Sequence, residues 1–128
     1  MVIKKGIETK MNKNAISVIF SVLGLITSTA IAGDIRGTFY DKNVLGVGDV
    51  TKYDLKLEKD VVTKITIIGD GNGDIDCWLS DENNNVVIQD TDKMDTCYIK
   101  INPLLTGPFT LKVINSGKNA SVFEITVN

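Results

Sequence analysis

The sequence predicts an all-β chain, folded as one antiparallel β-sandwich, jelly-roll-like, of seven to eight strands. Three observations predict it. Apolar and polar residues alternate with period two through most of the chain. Gly, Asn, Asp and Pro clusters interrupt that alternation at short, regular intervals. Beyond an apolar leader, no window sustains the 3.6-residue period of an amphipathic helix.

The elements follow in order. Ile35–Tyr40 is a candidate eighth strand. The first clear run places Tyr53, Leu55 and Leu57 inward against Lys52, Asp54 and Lys56. Ile65 and Ile67 come next, then Ile75, Cys77 and Leu79, then Val86 and Ile88. Cys97, Ile99 and Ile101 follow, then Phe109, Leu111 and Val113, and last Phe123, Ile125 and Val127. Turns are expected at Glu58–Asp60, Gly69–Gly73, Asp81–Asn85, Asn102-Pro103 and Asn115–Asn119.

The N-terminal quarter reads differently. Lys13 precedes an uncharged stretch from Ala15 to Ala32 that ends in Ala30-Ile31-Ala32, a small-x-small cleavage pattern. Met11–Ala32 is therefore expected to be a secretory signal peptide. The competing reading, a retained membrane helix, would need a longer run and a basic stop-transfer cluster. Gly33, not cysteine, stands directly after Ala32, so no lipid anchor is expected, and no transmembrane segment is expected after Ala32. Met1–Lys10 is expected to be an over-extended start that carries no fold information. The working domain is then Gly33–Asn128, which is 96 residues and enough for one core.

That domain holds 10 basic and 15 acidic side chains, a net charge of −5. An acidic surface without a basic stripe excludes nucleic acid as a natural partner. Cys77 and Cys97 are the only cysteines, and both fall in the inward register. In an oxidising compartment they are expected to form one disulfide across a 20-residue spacing, worth roughly 3 kcal/mol. A redox or zinc pair is the alternative, but there is no CxxC spacing and the chain has no histidine.

Asp74–Leu79, Leu105–Val113 and Val122–Val127 together resemble the bacterial pre-peptidase C-terminal domain family. Asp74-Ile75-Asp76-Cys77-Trp78-Leu79 is similar to the family's Asp-x-Asp-Leu-aromatic-Leu strand. Leu105–Val113 is similar to its Gly-x-aromatic-x-hydrophobic-x-Val strand, and Val122–Val127 to its last strand. The resemblance implies a β-sandwich accessory module of the kind attached to secreted peptidases. Cys77 stands where the family has leucine, and here the leader runs straight into the domain. A role beside an attached peptidase is therefore not carried over.

Three groups are candidate sites. Asp70, Asn72, Asp74 and Asp76 put oxygen side chains at every second position of a glycine-rich loop, which suits Ca²⁺. Ile75 and Asp81 break the EF-hand pattern, and a side-chain-capped turn is the alternative. Trp78 and Tyr98 each follow a cysteine and so point outward; on neighbouring strands they would form one aromatic patch. Asp90, Asp92 and Asp95 would flank that patch and steer a basic partner.

Without histidine, nucleophile elbow or free thiol, a non-catalytic binding protein is expected. The leading expectation is a periplasmic or secreted inhibitor or immunity-type protein that blocks a basic cell-wall hydrolase or protease. The alternative is a secreted carbohydrate- or matrix-binding accessory module. Composition leaves the oligomeric state open, a homodimer included.

Overall fold

The computed structural model describes residues 3–8 and 38–128. Nine strands appear there: β1 (Ile3–Glu8), β2 (Phe39–Leu45), β3 (Val50–Leu57), β4 (Thr63–Gly69), β5 (Ile75–Ser80), β6 (Val86–Asp90), β7 (Thr96–Ile101), β8 (Gly107–Asn115) and β9 (Ser121–Val127). One sheet runs β1-β3-β8-β5-β6 and the other β2-β9-β4-β7, with every pairing antiparallel. From β2 onward, each connection crosses to the opposite sheet except the β5–β6 hairpin. Those eight strands form a jelly roll.

The alternation decides which face each residue takes. Tyr53, Leu55 and Leu57 enter the core from β3, and Ile65 and Ile67 enter from β4. Ile75, Cys77 and Leu79 join from β5, with Leu111 and Val113 from β8. Phe123, Ile125 and Val127 complete the opposing layer with Ile99. Each such side chain contributes roughly 1.5–3 kcal/mol of transfer free energy. A disulfide worth about 3 kcal/mol therefore matches one or two of them, and the core sets the fold. Tyr53 also ties the sheets together: its hydroxyl donates to Asp41 on β2 at 3.2 Å. Burial first, then the Asp41 charge, pushes that hydroxyl well above the usual tyrosine range.

Three expectations are corrected. The extra strand starts at Phe39 and runs to Leu45, later than Ile35–Tyr40. Ile3–Glu8 does take part in the fold, pairing along β3 from Ile3↔Leu55 to Glu8↔Val50. An extended segment there satisfies an otherwise open edge; Ile3 packs against the core and Lys5 donates to Asp41 at 2.8 Å. Val86 does not point inward. It is 52% exposed, because β6 is an edge strand whose register shifts between Leu79 and Ser80. The leader expected over Met11–Ala32 and its cleavage point lie outside the described residues.

Candidate partner-binding surface

The cysteines meet as expected. Cys77 on β5 and Cys97 on β7 are bonded, with their Cα atoms 6.3 Å apart. These strands belong to different sheets, so the bond staples the two layers through the core.

The same staple separates the aromatics. Trp78 and Tyr98 each point away from the core, one from either sheet, and so occupy opposite faces of the sandwich. They do not form one patch. Trp78 lies between Lys112 on β8 and Gln89 on β6, and the Lys112 ammonium sits 5.3 Å from its ring centre. Tyr98 is on an edge strand and is 57% exposed.

The acidic residues are engaged in holding loops. Asp90 accepts the Tyr98 N–H at 2.9 Å, and Asp92 accepts that of Met94 at 2.9 Å. Asp95 accepts the Gly71 N–H at 2.7 Å and the Ser121 hydroxyl at 3.1 Å. Asp70 accepts from the N–H groups of Asn72 and Val122 at 3.1 and 3.3 Å. The Asn72 N–H above all holds the Asp70 carboxyl below the ordinary carboxylate range. Asp76 accepts from the Ser116 hydroxyl. Asp74 keeps one buried carboxylate oxygen without a partner.

Among the described residues, no three His, Cys, Asp or Glu side chains are grouped to hold a metal ion. The glycines serve the turn instead. Gly71 has φ +86°, a left-handed conformation. A Cβ on Gly73 would sit 2.6 Å from that of Ser121 and 3.0 Å from the Asn115 Oδ1, so the loop closes on protein.

At the centre of this end is Asn115, fully buried and not singled out in the sequence. Its amide donates to the carbonyls of Leu45 at 3.1 Å and Asn119 at 2.7 Å. Its oxygen accepts from the N–H groups of Asp74 at 3.3 Å and Gly117 at 3.0 Å. One side chain thereby pins three connections.

The opposite end presents apolar surface. Leu104 and Leu105 are 83% and 76% exposed, the highest values among the exposed large hydrophobics. Val61 and Val62 lie exposed on the adjacent β3–β4 connection. Two bonds lock these loops together: Asp60 N–H to Pro103 carbonyl at 2.9 Å, and Lys59 N–H to the Thr106 hydroxyl at 2.9 Å. Glu58 and Asp60, both exposed, precede Val61 on the same connection. Its signal in the sequence is two aliphatic doublets, Val61-Val62 and Leu104-Leu105, placed in turn segments. Side-by-side aliphatics cannot both follow the inward register.

No protein-family model and no curated protein matches the sequence. Solved structures do. The pre-peptidase C-terminal domain of a collagenase from Bacillus anthracis superposes with a TM-score of 0.62 at 16% identity, covering 71% of this chain and 89% of that one. PliG from Aeromonas hydrophila, a periplasmic inhibitor of g-type lysozyme, superposes with a TM-score of 0.51 at 11% identity, covering 71% and 84%. In fold, then, this chain is a β-sandwich like the pre-peptidase C-terminal domain.

Proposed function

We propose that this is an exported, non-catalytic binding protein that blocks a basic cell-wall hydrolase or protease by surface contact. The observation that carries the reading is the braced end bearing Val61, Val62, Leu104 and Leu105, rimmed by Glu58 and Asp60. Exposed aliphatics on two joined loops suit an interaction site, and loops already ordered lose little entropy on docking. Carboxylates at the rim, on a domain of net charge −5 from Gly33 onward, steer a basic partner. The absence of any histidine and the bonding of both cysteines support a role without catalysis. A periplasmic lysozyme inhibitor is built on the same fold, so the scaffold is suited to such a task.

The test is inhibition of a panel of basic muramidases and serine proteases by the purified protein. Stoichiometric inhibition of a panel member is expected. Leu104→Ser should weaken it by about 2 kcal/mol, roughly thirtyfold in Kd. Asp60→Lys should mainly slow association and flatten its salt dependence. Inhibition undiminished in Leu104→Ser would move the site elsewhere, and no inhibition across the panel would end the reading.

A further inference from the structure

The outer face of the β2-β9-β4-β7 sheet carries a second pattern, which adjoins the aliphatic end at Val62. Registers align one residue from each strand in a straight row: Tyr40↔Thr126, Thr126↔Thr66 and Thr66↔Tyr98. Tyr40 and Tyr98 are each 57% exposed and stand on the two edge strands. With strands about 4.8 Å apart, their backbones are separated by about 14 Å, and two threonine hydroxyls lie between them.

The next row toward the β3–β4 end is cationic. Lys64 and Lys100 face each other directly across β4 and β7, and Asn128 pairs with Lys64 on the other side. Val62, Lys64, Lys100 and Asn128 line an open groove of about 460 Å³. Like charges directly opposite each other are destabilising in a sheet. Among the described residues, neither ammonium has a carboxylate within ion-pair distance. β-Propensity accounts for threonine and tyrosine on strands. It does not account for two facing lysines beside them.

We propose that this face binds an acidic polysaccharide, a chain of pyranose rings bearing carboxylates. Tyrosine rings offer platforms to the apolar C–H faces of sugars, and Thr66 and Thr126 offer hydroxyls to their rims. The lysine pair receives a carboxylate, and the ligand's charge removes the repulsion between them. A protein partner is the poorer fit, because a protein interface wants an apolar, desolvated centre. Here the centre is two threonines and the aromatics lie at the margins.

Calorimetry with uronate tetramers (galacturonate, mannuronate and guluronate) against a neutral galactose tetramer tests the proposal. At least one uronate should bind tenfold or more tightly than the neutral chain, and increasingly weakly as salt rises. Tyr98→Ala should lower that affinity about tenfold, with circular dichroism confirming an intact fold. Lys100→Gln should abolish the preference for acid. Leu104→Ser should bind uronate as the parent does, which separates this site from the protein-docking end. The proposal is overturned if no uronate binds at millimolar concentration, or if binding survives both Tyr98→Ala and Lys100→Gln. Equal binding of a glutamate tetrapeptide would overturn it in favour of an acidic protein segment.

Discussion

The two ends of the sandwich use their loop residues in opposite ways. At the end built from the connections around Asp70, Asp95 and Asn115, polar side chains turn inward and hold backbone groups. At the other end, the bracing bonds come mostly from backbone, and Leu104 and Leu105 turn outward. The lesson is that chemical conspicuousness and availability are different properties. Most of the carboxylates that draw the eye in the sequence are already engaged. The residues left over for a partner are ordinary aliphatics.

Substitutions can break that contrast, and the largest effect is expected at the pinned end. Asn115→Ala leaves two N–H groups and two carbonyls without partners, for a loss of about 3 kcal/mol in denaturant unfolding. Asp95→Ala should follow at about 2 kcal/mol, since it removes charge-assisted bonds from Gly71 and Ser121. Neither variant should alter partner affinity once corrected for the folded fraction.

Acid sharpens the comparison further. The N–H of Asn72 holds Asp70 below the ordinary value of 3.8, and the side chain of Asn85 does the same for Asp81 in the β5–β6 turn. A carboxyl depressed by folding stabilises fully above its unfolded pKa. That contribution is lost as pH falls from about 3.8 through the lower folded value. Thermal midpoints should therefore hold down to about pH 5 and decline below pH 4, and the decline should shrink in Asp70→Asn. The smallest effect on stability is expected from Leu104→Ser, within about 0.5 kcal/mol of the parent. A large loss there would show that the aliphatic end is structural after all.

Strand faces and the staple were legible because alternation encodes them directly. Ile75, Cys77 and Leu79 could point only one way once Asp76 and Trp78 pointed the other. Neighbours were not legible. Trp78 and Tyr98 share a local context, yet the order of strands puts them on opposite faces, and strand order is a property of the whole chain. Val86 read as inward because nothing local announced that β6 is an edge. The run Asp70–Asp76 looked like a cation loop because side-chain-braced turns and calcium loops draw on the same Asp, Asn and Gly. The bonds that brace this turn run to Ser121 and Asn115, far along the chain, where the local sequence does not show them. Tyr40 and Tyr98 align only through three successive registers.

One feature of the topology reaches into biosynthesis. β9, the last seven-residue strand, lies inside its sheet between β2 and β4. Its pairing joins Phe39 to Val127, so the earliest strand of that sheet waits for the latest. A chain made N-terminus first cannot close this layer until β9 has been made. Closing it is slow in the manner of non-local β topologies. Until β9 is in place, β2 and β4 lack the strand that joins them, and the layer stays open.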